Sequence, residues 1–334
     1  MNSIWDGVDR LLDAAEDEHA IAVHSLQFLA IRRWRETGRA VPATWLDDQR
    51  LMAMVTLALP GVLRQIRSVV EGPIVLMKGP EVATLYPGTA LRPFGDVDLL
   101  VQDADVAHQA LLELGLSLDR ERPAPDAFHH LTPLRVEYPP LKIEIHRRPN
   151  WLPWLPPPSV EELFAAAGPS RLGVVGLSTL APEHHALTVA VHNWLHGPLL
   201  SVGGLLDSAL LSRECDPAVL LRTAKRWGVD RIWQTSSRAA EALLLGEGSS
   251  LPLAIGGRHL RRVHERTMVG WQASMYLGSL WAPTPMEAVH ALSTTLVDGI
   301  RLPEGHSWRT RAPRIFRVVR SAARPASRYD DLVK

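Results

Sequence analysis

The apolar residues of this chain change their period twice, and that change limits the possible fold more than any other feature. From residue 6 to 70 they recur at helical spacing: Leu11, Leu12 and Ala15 form one stripe, and Ile21, Leu26, Leu29 and Ile31 continue it past the acidic segment 16 to 18. Gly38 and Pro42 interrupt the run, and a long helix over about 45 to 70 follows, with Pro60 as a kink or boundary. At Glu71-Gly72-Pro73 the period shortens. Residues 74 to 77 read as a buried strand, and Lys78-Gly79-Pro80-Glu81 as a strand-to-helix turn with proline at the first helical position. A second strand is expected over 96 to 101, a helix over 104 to 114 ended by Gly115, and two strands over 131 to 138 and 141 to 146, hinged at Pro139-Pro140. From Pro182 the helical period returns, over 182 to 196, 199 to 213, 217 to 227 and 230 to 245, then less regularly from 256 to 294 and 312 to 323. The expected architecture is α+β, a small mixed sheet module set between helical segments.

The expected divisions are a helical segment over 1–70, an α/β core over 71–150, a linker or lid over 151–181, a helical domain over 182–300 and a tail over 301–334. The linker begins with residues 149 to 158, which hold Trp151, Trp154 and five prolines, a composition that supports neither a helix nor a central strand. The tail carries eight Arg and one Lys against Glu304, Asp330 and Asp331, a net +6. It reads either as a solvated helix or as a surface for phosphate, an acidic peptide or a partner.

Composition excludes several classes of protein. With 334 residues, 46% hydrophobic and 22% charged, the chain has a globular balance and can bury a core without staples. Its net charge of zero gives no positive field of the kind that binds nucleic acid non-specifically. Cys215 is the only cysteine, so no intrachain disulfide or multi-cysteine metal site can form, which suits a reducing cytosol. The N-terminus lacks the basic and apolar segments of a signal peptide, and no apolar run reaches the roughly 18 residues that span a bilayer. A cytoplasmic protein with no membrane span is expected.

The chemistry concentrates on two of the strands. Alternate side chains share a face of a strand, so Asp96 and Asp98 project together while Val97 and Leu99 turn away. In Lys142-Ile143-Glu144-Ile145-His146 the same alternation places Lys142, Glu144 and His146 on one face. If the two strands are neighbours, three carboxylates converge on a patch that repels itself unless cations neutralise it. Magnesium prefers carboxylate oxygens and shares its shell with substrate phosphate, so it is the expected ion, with manganese as the alternative. Upstream, Gly79 brings bare backbone close to the site, and Lys78 and Arg92 are the cations available for phosphate. Lys78 is equally readable as a lysine whose stem covers a strand end.

These motifs resemble a family. Val75-Leu76-Met77-Lys78-Gly79, Leu85-Tyr86-Pro87, and the run from Leu91-Arg92-Pro93 through Asp96-Val97-Asp98 to Val101 are similar to the uncharacterised nucleotidyltransferases of bacteria, within the DNA polymerase beta-like superfamily. Ile143-Glu144-Ile145-His146 resembles that family's later strand, and the stretch from Leu180 to His192 with Leu205-Leu206-Asp207 resembles its helical half. The resemblance spans roughly residues 10 to 245. It implies a transferase that moves a nucleoside monophosphate from a triphosphate such as ATP to an acceptor and releases pyrophosphate. Asp96, Asp98 and Glu144 match its catalytic and metal-binding carboxylates, with Lys78, Gly79, Arg92 and His146 toward the nucleotide. The acceptor is open: a small molecule, a peptide or a protein. One departure is Gly79-Pro80, where the wider superfamily has glycine-serine; proline offers no N–H to phosphate.

Other constellations carry less. His192 and His196 have the spacing of a zinc-protease helix, but Asn193 replaces the glutamate such an enzyme needs. With His184 and Thr188 they form a polar stripe that either lines the cleft, with Asp207 as hydrogen-bond partner, or packs in the core. Gly173-Val174-Val175-Gly176 lacks the rest of a dinucleotide fingerprint. Most tryptophans are expected in the core, with Trp151 and Trp154 as candidates for a lid over the acceptor. Two other functions stay open: a non-catalytic nucleotide-binding module that recruits a partner, and transfer of another group, such as a sugar from a nucleotide-sugar, in natural-product or peptide tailoring.

Overall fold

The computed structural model describes residues 3–119, 129–282, 284–300 and 325; the expected helix over 312 to 323 and the tail's basic face lie outside them. Ser3 and Asp6 close a capping box on α1 (Ile4–Ala14), and the Asp17 carboxylate accepts two amide hydrogen bonds to start α2 (Glu18–Val23). α3 (Gln27–Thr37) stops at Gly38, which takes the left-handed conformation that suits glycine at a helix end. α4 (Ala43–Val69) continues through Pro60, which marks no boundary. Trp45 holds its first half in one core and Val55, Leu59, Leu63 and Ile66 hold its second half in another, so tertiary packing on both sides carries the helix across the proline.

The α/β part follows as β1 (Ile74–Leu76), α5 (Pro80–Ala83), β2 (Asp96–Val101), α6 (Ala104–Glu113), β3 (Ser117–Leu118), β4 (Leu134–Val136), β5 (Leu141–His146), α7 (Val160–Ala166), β6 (Gly168–Pro169) and β7 (Ser178–Thr179). All seven strands join one mixed sheet in the order β3-β4-β5-β2-β1-β7-β6. β2 lies antiparallel to β1 and parallel to β5. The sheet therefore does not stop at residue 150: β7 pairs with β1, and part of the expected linker is built into the edge.

Helices α8 (Pro182–His196), α9 (Val202–Ser212), α10 (Pro217–Arg226) and α11 (Asp230–Ala240) follow, the last running on through one π-helical turn at Glu241–Leu245. The shorter α12 (Leu251–Gly256) and α13 (Arg258–Arg261) lead to α14 (Met268–Gly278) and α15 (Pro285–Ile300). No described helix is long and apolar enough to cross a membrane.

Strand alternation divides the sheet's side chains between two cores. Ile74, Leu76, Val97, Leu99, Ile143 and Ile145 pack toward α4 and α6. Val75, Met77 and Leu100 point the other way, into the core built with α8, α10 and α11. Asp96, Asp98, Glu144 and His146 belong to this second face by the same alternation. The N-terminal helices share their core with Val202, Leu205 and Leu206 of α9, so the first helical segment and the later helices close on each other.

Candidate active site

The pairing of β2 with β5 brings the acids together. The register sets Asp98 opposite Glu144, Asp96 opposite Lys142 and Leu100 opposite His146. Ligand atoms of Asp98, Glu144 and His146 all lie within 4.8 Å of one another. Asp96 is one pleat period back along β2 on the same face, close enough to feel both other carboxylates. Lys142, on that face by sequence, reaches away to Asp119, with Nζ 2.8 Å from Oδ2.

Asp98 is the centre of the cluster and is fully buried. Its Oδ1 lies 2.9 Å from Lys78 Nζ and 2.9 Å from His146 Nε2. Burial pushes its pKa up, but Lys78 and His146 outweigh burial and hold the carboxyl well below the usual range. The same pairings raise Lys78, against its own burial, through the charges of Asp98 and Asp96. His146 is likewise raised against burial by its hydrogen bonds to Asp98 and Glu144. Glu144, opposed by burial, is lowered by the His146 contact. For Asp96 the balance reverses: burial and then repulsion from Asp98 outweigh the attraction of Lys78 and push it up to about 6. The patch holds more negative charge than its resident cations neutralise.

A divalent ion fits these residues. Asp98 Oδ2 is buried without a hydrogen-bond partner among the described residues, although a carboxylate oxygen in that position costs several kcal/mol to leave bare. Glu144 keeps 17% of its side chain exposed, so the cluster can be reached from outside. The atoms that converge most closely come from two carboxylates and one imidazole, Asp98, Glu144 and His146, with Asp96 two residues away along β2 on the same face.

The turn after β1 is shaped by its neighbour. Gly79 has φ +60°, and a Cβ there would sit 2.8 Å from the Asp96 carbonyl oxygen. Glycine is required because the turn presses against the strand that carries the aspartates. The helix that follows, α5, is a single turn.

Several side chains stand elsewhere than the sequence suggested. Arg92, expected on phosphate, donates from Nε and Nη2 to both carboxylate oxygens of Asp207 at 2.9 and 2.8 Å, and from Nη1 to the Gly79 carbonyl. Its fork is occupied, because a buried guanidinium needs a buried counter-charge. Asp207, expected beside the histidines, serves Arg92 and also accepts from the Tyr86 hydroxyl at 2.8 Å. His146, expected on the nucleotide, is 2% exposed and turned into the carboxylates. Trp151, expected in a lid, is 4% exposed and meets the Trp227 ring edge-on, because its apolar area is satisfied in the core. Trp154 is partly buried against the same core. His192 stands beside Lys78, with Nε2 3.5 Å from Lys78 Nζ, while His184 lies apart beside Glu162 and Trp227.

Two residues escaped the sequence reading. His129 and His130 gather around His146 in tilted and edge-on ring contacts, and His130 Nε2 comes within 3.9 Å of Glu144 Oε2. Burial and the charge of His146 push His129 down to about 3, so its ring is neutral. A histidine pair just before a strand was the only available signal.

A family model described as uncharacterised nucleotidyltransferase matches residues 8–244, most of the chain. The chain belongs to that family. The match runs from α1 through the sheet to the π-helical turn, so it contains every residue of the carboxylate cluster and the Arg92–Asp207 pair. No curated protein and no solved structure matches this chain.

Proposed function

We propose that this protein transfers a nucleoside monophosphate from a nucleoside triphosphate to an acceptor hydroxyl at the face formed by Asp96, Asp98 and Glu144. The observation that carries the reading is the register that buries Asp98 opposite Glu144 and leaves Asp98 Oδ2 bare. Membership of a nucleotidyltransferase family supports it. Asp98, Glu144 and Asp96 would hold the divalent metal, magnesium or alternatively manganese, with His146 beside them. When bound, the ion would neutralise charge on the triphosphate and the leaving pyrophosphate.

The chain's own residues have distinct tasks in this reading. Lys78, held between Asp98 and His192, supplies positive charge to triphosphate oxygens. Arg92 acts through the backbone: its bond to the Gly79 carbonyl and its clamp on Asp207 fix the turn against β2. Glu144 is the more open of the two paired carboxylates, at 17% against 0% for Asp98, and so faces the entering acceptor. The acceptor oxygen bonds to the α-phosphorus as the bond from that phosphorus to the bridging oxygen breaks. Pyrophosphate leaves with the electron pair, and the acceptor's proton passes to Glu144.

The test is magnesium-dependent pyrophosphate release from each of the four ribonucleoside triphosphates, with mass spectrometry of the products. Asp98→Asn should abolish release; equal rates in variant and wild type would discard the reading. Thermal stabilisation by nucleotide with no turnover would instead assign a binding module.

A further inference from the structure

A cavity of about 200 Å³ lies beside the catalytic face, walled by α8, the link to α9, α9 itself and α11. Its polar groups come from Asn193, His196, Ser201, Ser208 and Ser236, and no Lys, Arg, Asp or Glu lines it. Trp194 and Leu200 supply apolar wall. The polar groups are held in place with capacity to spare. Asn193 Nδ2 donates to the Gly204 carbonyl at 3.0 Å, leaving its side-chain oxygen to accept. Ser201 Oγ accepts from the Gly204 amide at 3.1 Å, leaving its hydroxyl to donate. Ser208 Oγ donates to the Gly204 carbonyl at 3.0 Å, leaving lone pairs to accept. Ser236 is 5% exposed, yet its hydroxyl has no hydrogen-bond partner among the described residues.

His196 joins the cavity to the carboxylates. Its ring centre is 4.5 Å from that of His192, and His192 Nε2 is 3.5 Å from the Lys78 Nζ that contacts Asp98. The charges of Lys78 and Glu144 both reach His196.

We propose that this cavity is the acceptor subsite, and that it takes a small, neutral, polyhydroxylated molecule the size of one sugar ring. The inference rests on the transfer reading above and names its acceptor. An uncharged lining repays no desolvation of a charged ligand, whereas alternating donors and acceptors match hydroxyls, which do both. The volume equals roughly seven water molecules at about 30 Å³ each, enough for one ring and too little for a folded peptide segment. A ring held there presents a hydroxyl past His196 toward Glu144.

The experiment is saturation-transfer NMR on the full chain with four probes at equal concentration: glucose and myo-inositol as neutral polyols, glucuronate as anion, glucosamine as cation. The neutral pair should receive several-fold more transfer than either charged probe. Ser236→Leu and Ser208→Leu, which fill the cavity from different helices, should abolish that signal in whichever variant keeps its far-UV circular dichroism. Equal signals from all four probes, no signal from the neutral pair, or an unchanged signal in a folded Leu variant would overturn the proposal. Thermal shift by ATP and the other triphosphates, run on the wild type, separates the two readings. Nucleotide binding without polyol binding overturns the subsite alone; polyol binding in a protein that no triphosphate stabilises overturns nucleotidyl transfer and leaves a polyol site.

Discussion

Replacing Asp96 with asparagine should stabilise the metal-free protein while destroying its activity. Asp96 is half-buried beside Asp98, whose Oδ1 holds Lys78, and its carboxyl is raised from 3.8 to about 6. That shift of about 2 units corresponds to roughly 3 kcal/mol at 1.36 kcal/mol per unit. The sign follows from where the proton sits. Between about 3.8 and 6 the folded state holds a proton that the unfolded state has lost, so this group's contribution is full below 3.8 and disappears as pH rises through 6. Asparagine never ionises, so the variant escapes that loss. The stability difference should be negligible near pH 4, grow through about pH 6, and level off at up to about 3 kcal/mol above it. The attraction of Lys78 is already contained in this figure, because the raised pKa is the net of burial, repulsion and that attraction. Urea denaturation in chelator, at steps across about pH 4 to 8, measures it. Magnesium or manganese should then stabilise the wild type and leave the variant nearly unmoved. A variant no more stable than wild type at neutral pH, or a gain that ignores pH, would refute the argument that the site carries uncompensated negative charge.

Other perturbations test the scaffold. Asp207→Ala strands the buried Arg92 guanidinium and should cost about 3–5 kcal/mol, much of it recovered in the Arg92→Met, Asp207→Leu double variant; no recovery would contradict a charge-pair origin. Gly79→Ala should cost about 1–3 kcal/mol from its positive φ, with further loss from the 2.8 Å clash on Asp96, and should slow pyrophosphate release; normal stability and rate would show that the turn relaxes freely. Trp151→Ala should destabilise by about 3–5 kcal/mol in chemical denaturation, as a core tryptophan does; a change confined to acceptor KM would restore the lid.

The secondary structure of the central part was largely legible because its signals are local. Alternation alone marks β2 and β5 as strands and puts Asp96 with Asp98 and Glu144 with His146. The helices from α8 to α11 were legible from their period and from prolines at their starts in α8 and α10. The sheet's short strands β6 and β7, two residues each, were not, because a two-residue strand has no period to read. Pro60 left two readings open, a kink or a boundary, and only the packing on both sides of it shows that the helix does not end there.

What the sequence settled by itself was which side chains share a face, since that depends only on backbone geometry repeating every two or 3.6 residues. What only the tertiary structure decided was how the charges pair. Lys78 finding Asp98, Arg92 finding Asp207 across 115 positions, and Trp151 turning inward all follow from burial, which forces each desolvated charge or ring to take the partner that space provides. Spacing along a chain carries no record of that choice, because the partners meet only after the sheet and the helices have closed on one another.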